Sequence, residues 1–185
     1  IQPHGPYYVG GMCYGGMVAF EIAQQLVASG KGVNFLGILD SNTPPRRRKP
    51  LVYYIHNARQ FIHKKILGRE SLVGELMPRM HRRRVSKNDP LTRRIYRVFN
   101  ANLYARLRYT SPPYPGWVTK FSTDWGIAKQ ATEGWRKMTT VGLEDHNVPG
   151  AHMRLSPDDT RMLDEPNVQV VAKKLRQCLE SAPSK

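Results

Sequence analysis

Residues 10–16 read GGMCYGG, and within them Gly11-Met12-Cys13-Tyr14-Gly15 sets a thiol midway between two glycines. The spacing has a chemical use. A nucleophile on a sharp strand-to-helix turn stands out above the edge of a sheet, and glycines two positions to either side keep neighbouring backbone clear of it. The backbone N–H that follows the nucleophile, here that of Tyr14, then points at the oxygen of a reacting carbonyl. A helix N-terminus behind the turn favours negative charge and lowers a thiol pKa. The competing reading is a free cysteine packed in a tight bend, since free cysteine is often buried.

A nucleophile of this kind needs a base, and the base needs a carboxylate to orient it. Asp40 ends the apolar run LGILDS. Asp124, after the run WVTKFST, is a rival at a similar position. Either could instead cap a strand end. His152 follows the turn VPGA, and a loop there can reach back over Cys13. The order nucleophile, acid, histidine is one used by α/β-hydrolases. The remaining histidines compete less well. His146 falls inside an expected strand, His56, His63 and His81 fall in a helical insertion, and His4 precedes the first strand. Cys178 lies on the apolar side of a late helical pattern and reads as core.

The elements that must position these groups are legible as a strand–helix–strand unit. Residues 6–12 read as a buried strand, 15–29 as a mostly buried helix ended by Gly30, and 32–40 as a second buried strand. Such a unit implies a parallel sheet with a right-handed crossover, whose reactive edge lies at the C-terminal ends of the strands. Residues 41–50 are rich in proline and arginine and read as a loop. Apolar positions recur at helical spacing over 51–67 and again from Leu91 to Leu107, so 46–110 reads as a helical insertion. Strands resume at 116–123 and 142–148. Ser156 and Pro157 read as a helix start, and 165–179 as an amphipathic helix.

Composition bounds the function. The 185 residues suffice for one domain with a core, and 40% of them are hydrophobic. No run is long and apolar enough to suggest a membrane partner. Two cysteines make no disulfide framework, which points to the cytoplasm, and no zinc-type spacing is seen, so no metal is expected. The net charge of +15 is clustered in RRRK at 46–49, HRRR at 81–84 and RRIYR at 93–97. That pattern suits an acidic protein partner better than nucleic acid, for which no recognition motif is present.

The stretch GPYYVGGMCYGGMVAFEIAQQLVASGKGVNFLGILDS closely resembles type I thioesterase domains, which end nonribosomal peptide and polyketide synthase assembly lines. PYPGWVTKF, VPGAHMRLS and EPNVQVVAKKLRQCL resemble, in order, their next strand, histidine loop and last helix. The resemblance implies an α/β-hydrolase fold: a mostly parallel sheet flanked by helices, with 46–110 as a helical lid. It implies a triad of Cys13, Asp40 and His152, with the Tyr14 N–H in the oxyanion hole. It implies release of an acyl, peptidyl or polyketide chain, by hydrolysis or cyclisation, from a carrier protein supplied by upstream modules. Phosphopantetheine would be the arm that carries the substrate, and no cofactor of the domain itself is expected.

Two departures from the family pattern stand out. Most of its members carry serine where this chain has Cys13. The strands that usually precede the elbow are not in the sequence, so 1–185 reads as an N-terminally truncated domain, expected to be poorly stable and nearly inactive alone. Two other readings remain open at this point. One is a dienelactone-hydrolase-like esterase, which shares only the cysteine elbow. The other is a degenerate module that docks a carrier protein without chemistry.

Overall fold

The computed structural model describes residues 2–44, 90–123, 127–152 and 160–181. The chain divides into two compact units, one of residues 1–46 with 111–185 and one of 47–110. In the second unit a helix, α2, runs Pro90–Arg108. It opens on a proline, which suits a first helical turn where the backbone N–H has no partner to lose. The helical pattern over 51–67, the helix start at Ser156 and the rival Asp124 lie outside the described residues.

The first unit contains β1 (Tyr7–Met12), α1 (Tyr14–Ala28), β2 (Val33–Leu39), β3 (Trp117–Ser122), α3 (Ile127–Arg136), β4 (Gly142–Asn147) and α4 (Asn167–Ser181). The strands lie side by side in the order β1-β2-β3-β4, every pair parallel. Among the described residues no helix is long and apolar enough to cross a membrane.

Alternation along the strands sorts the core into two layers. Leu36 and Ile38 of β2 and Val118 of β3 face α1 and α3, where they meet Phe20, Ala23, Ala131 and Trp135. Phe35 of β2 and Phe121 of β3 face the other way, toward Val171 and Cys178 of α4. A parallel sheet covered on both faces explains why β2 reads as a continuous apolar run. Trp135 is fully buried and packs edge-on to Phe20, with ring centroids 5.2 Å apart.

α1 departs from the expectation of a helix buried over most of its surface. Its buried positions are Gly16, Met17, Ala19, Phe20 and Ala23, while Val18 and Ile22 are exposed. Its end follows the sequence closely. Gly30 takes a φ of 74°, its N–H reaches the Val27 carbonyl at 2.9 Å, and the Lys31 N–H reaches Leu26 at 2.9 Å. These are the two bonds of a Schellman ending. α3 had no counterpart in the sequence reading. Its IAKQATEGWR stretch is short, and Gly134, a poor helix former, lies within it.

The layer between β3, β4 and α3 holds one buried cation. Lys120, 1% exposed, donates to Ser122 Oγ and to Thr132 Oγ1 (3.0 Å), and pairs with Asp145 Oδ1 at 3.5 Å. Burial lowers its pKa, and Asp145 opposes that shift. The three partners satisfy the donors that burial would otherwise leave costly.

Candidate active site

β1 ends at Met12, and α1 begins at Tyr14, so a single residue makes the turn between them. That residue is Cys13, with φ 54° and ψ −122°. An L side chain in this region is strained, and such strain persists only where the surroundings impose it. They do so here by hydrogen bonds. The Cys13 N–H is held by the Leu39 carbonyl at 2.9 Å, and the Gly16 N–H bonds back to the Cys13 carbonyl at 3.2 Å.

The glycines around the turn are not equivalent. A Cβ on Gly11 would overlap the Gly15 backbone, and one on Gly16 would lie 2.6 Å from Ser41 Cβ. A Cβ on Gly15 would meet nothing within 4 Å. The close approach that the motif needs therefore rests on Gly11 and Gly16. The symmetric spacing had suggested that Gly15 was the second essential glycine.

Asp40 follows β2 directly and also has a positive φ, 42°. Its N–H bonds to the Phe121 carbonyl at 2.8 Å, which extends the β2–β3 pairing by one step and turns the carboxylate over the sheet edge. Next in the chain, Ser41 offers its carbonyl to the buried Trp135 Nε1 at 2.8 Å. The acid-bearing turn is thus braced by α1 through Gly16 and by α3 through Trp135.

His152 arrives on the loop after β4. The Val148 N–H bonds to the Ser122 carbonyl at 2.8 Å, continuing the β3–β4 ladder. Gly150 takes φ 98° in a space where a Cβ would sit 2.7 Å from Arg161 carbonyl carbon. Ala151 is then clamped by two backbone bonds, to Thr160 (2.9 Å) and from Met162 (3.1 Å). The clamp leaves the next residue, His152, projecting back to the sheet edge.

The three side chains meet there. His152 Nδ1 lies 2.8 Å from Asp40 Oδ2, and the same imidazole lowers the pKa of the Cys13 thiol. Thr123 donates its Oγ1 hydrogen to Asp40 Oδ2 at 3.2 Å. The Tyr14 backbone N–H, at the first turn of α1, also lowers the Cys13 pKa. Cys13 itself is exposed.

The electrostatics favour an ion pair. The bond to Asp40, followed by that to Cys13, pushes the His152 pKa up to about 10 against the cost of burial. The His152 hydrogen bond lowers the Cys13 pKa, with the Tyr14 N–H assisting and burial and Asp40 opposing. Burial alone would raise Asp40, but the bonds from His152 and Thr123 together hold it below its usual value. An imidazolium between a carboxylate and a thiolate is the arrangement that activates a cysteine for acyl transfer.

Sequence reasoning did not find Thr123, Ser41 or Trp135. The signal for Thr123 was weak but present, since it immediately follows a strand that ends beside Asp40. Ser41 and Trp135 act through a backbone carbonyl and an indole N–H, and neither leaves a spacing to read.

Comparison with known proteins gives this arrangement a lineage. The thioesterase-domain family model matches residues 1–165. The nonribosomal peptide synthetase apvA of Aspergillus terreus is 54% identical over 44 residues, which is 24% of this chain and 4% of that protein. The N-(5-amino-5-carboxypentanoyl)-L-cysteinyl-D-valine synthase of Penicillium rubens is 51% identical over 41 residues, 22% of this chain and 1% of the synthase. The chain thus spans only a few per cent of the length of these curated relatives. Among solved structures, the NocB thioesterase domain aligns with 96% of this chain and 68% of its own length, at 25% identity and a TM-score of 0.62. The thioesterase domain that cyclises surfactin shares the fold at 17% identity and a TM-score of 0.61, over 98% of this chain and 70% of its own. The helix-flanked parallel sheet is accordingly of the α/β-hydrolase type, and the chain belongs to the thioesterase domain family, a family of hydrolytic enzymes.

Proposed function

We propose that this domain ends an assembly line of the nonribosomal peptide or polyketide type. It takes an acyl or peptidyl chain from the phosphopantetheine thiol of a carrier protein onto Cys13, and then releases it. The reading is carried by one observation: His152 bonds Asp40 Oδ2 at 2.8 Å and is coupled electrostatically to the Cys13 thiol, which sits at the N-terminus of α1.

In the first half-reaction the Cys13 thiolate attacks the thioester carbonyl, and the oxyanion forms beside the Tyr14 N–H. The tetrahedral adduct then collapses, the C–S bond to pantetheine breaks, and the departing thiolate takes the proton from the His152 imidazolium. In the second half-reaction neutral His152 removes a proton from water, or from an amine or hydroxyl of the chain itself. That nucleophile attacks the Cys13 thioester, and the Cys13 thiolate leaves, restoring the ion pair. Asp40 stays ionised throughout and holds the imidazole by Nδ1. A cysteine nucleophile supports release by aminolysis or ring closure as well as hydrolysis, because its acyl-enzyme is a thioester and loading is nearly isoergic. Upstream synthase modules and their carrier protein supply the substrate. The setting is the reducing cytoplasm, in keeping with two free cysteines.

The test is intact-mass spectrometry of the protein incubated with an acyl-pantetheine thioester, beside Cys13→Ala. One added acyl group on the parent alone is the expected result. A folded parent that binds a carrier protein yet forms no adduct and shows no turnover overturns the reading in favour of a docking module. Turnover of small lactones alone would instead favour the dienelactone-hydrolase-like esterase.

A further inference from the structure

On the α4 side of the sheet, away from the Cys13 turn, three unlike donor atoms converge. Glu144 and His146 sit two apart on β4 and so point to one face, and Cys178 on α4 stands over them. His146 Nε2 lies 3.1 Å from Glu144 Oε1 and 3.2 Å from Cys178 Sγ. All three ligand atoms lie within 4.8 Å of one another. Cys178 is buried, His146 half-buried and Glu144 exposed, so one side of the cluster opens to solvent.

A hydrogen bond accounts for the His146–Cys178 contact, while the Glu144 carboxylate meets His146 Nε2 only at ion-pair distance. A ring nitrogen offers either one proton or one lone pair, in the ring plane. Nε2 cannot give a full hydrogen bond to the carboxylate and also accept one from the thiol. A cation at the point where the three atoms converge removes the conflict, because the nitrogen, the sulfur and the oxygen would all direct lone pairs at it. The dimensions agree. Tetrahedral zinc with ordinary bond lengths separates nitrogen from oxygen by about 3.4 Å and nitrogen from sulfur by about 3.6 Å. The two separations from His146 Nε2 need to open by only a few tenths of an ångström. The imidazole is also held in place, since its ring stacks on Phe121 with centroids 5.3 Å apart at 24°.

We propose that Glu144, His146 and Cys178 form a site for a zinc-class divalent cation, with solvent in the fourth position. Thiolate, imidazole and carboxylate together select a borderline-soft ion over calcium or magnesium, which take oxygen ligands. Binding removes the Cys178 proton to solvent, and the ligands then carry two negative charges that neutralise the ion. That neutrality matters in a chain of net charge +15, which would otherwise repel a cation. The site departs from the sequence expectation of no metal because its ligands follow no short cysteine–histidine spacing. They come from alternate residues of a strand and from a helix 32 positions after His146. An occupied site ties α4 to β4, the strand that leads into the His152 loop.

Cobalt titration tests this directly. The chain has two cysteines, so in Cys13→Ala any thiolate-to-cobalt charge-transfer absorption reports Cys178 alone. The expected result is such a band, saturating at one equivalent of Co²⁺ in the micromolar range at neutral pH and erased by one equivalent of Zn²⁺. Adding Cys178→Ser should abolish it. Glu144→Gln, at an exposed position that folding tolerates, should weaken cobalt binding about tenfold or more. No band, a band only at millimolar cobalt, or a band that Glu144→Gln leaves unchanged would overturn the proposal.

Discussion

Gly16 and Ser41 approach so closely that a single added methyl on Gly16 would sit 2.6 Å from Ser41 Cβ. The helix that follows the nucleophile is thereby pressed against the turn that carries the acid. The spacing between Cys13 and Asp40 is set at this contact, a step away from either functional side chain. Gly16→Ala should therefore cost about 1–3 kcal/mol of stability, as overpacking does, and lower activity further by displacing the Asp40 turn. Gly15→Ala, which meets open space within α1, should be neutral or stabilising by up to about 1 kcal/mol. Urea denaturation of the two variants separates them, and equal destabilisation would contradict the asymmetry between these glycines.

The raised His152 and lowered Cys13 pKa values predict thiol reactivity. Cys13 should react with iodoacetamide at a rate that stays high well below pH 9.0, the value of an ordinary thiol here. In His152→Ala the rate at pH 7 should fall at least about tenfold, because the first cause of the shift is gone. Cys178, buried and shifted upward, should remain unmodified under the same conditions. Peptide mapping of the alkylated protein checks both.

The same pair makes a prediction about stability against pH. His152 has a pKa raised from 6.5, so its contribution is complete below pH 6.5 and is lost as pH rises through about 10. Cys13 has a pKa lowered from 9.0, so its contribution is complete above pH 9.0 and is lost as pH falls through its native value. Wherever native Cys13 is a thiolate between pH 6.5 and 9.0 the two slopes cancel, since the native ion pair and the unfolded neutral pair hold the same number of protons. Their joint contribution should be flat over that window and decline on both sides. Urea midpoints measured from pH 5 to 10, with the His152→Ala, Cys13→Ala double variant as baseline, test this. A maximum confined to one side would show that no ion pair forms.

Asp40 should act chiefly through His152. In Asp40→Asn the leading cause of the raised imidazole pKa disappears and the Nδ1–H loses its carboxylate acceptor. Turnover should fall by about 10³–10⁴-fold, the scale of misplacing the imidazole tautomer. Thr123→Val removes one of the bonds that hold the carboxylate below its usual pKa. Its effect should be smaller, about tenfold or less, with the acid limb of the rate profile moved to higher pH. An unmoved acid limb would remove Thr123 from the account.

Much of this arrangement is readable in the chain alone. Strand, glycine turn, helix and strand follow from the apolar runs around Cys13 and Asp40, because a parallel sheet buried on both faces leaves little room for polar residues. His152 is readable from its order behind the two. Val18 and Ile22 misled because helical periodicity records which residues are apolar and not which side a neighbour covers. α3 and the bracing of Ser41 by Trp135 were silent for another reason. An indole N–H finding a carbonyl 94 positions away is a matter of packing, and packing distance has no local signature.

Cys13 and Asp40 are the positive-φ residues other than glycine among the described ones. Glycine would relax the backbone at both positions and would remove the thiol at one and the carboxylate at the other. Selection for durability and selection for turnover therefore pull in opposite directions at these two sites. A library sorted only for resistance to heat or protease would drift toward Cys13→Gly and Asp40→Gly, and its sturdiest survivors would be inert.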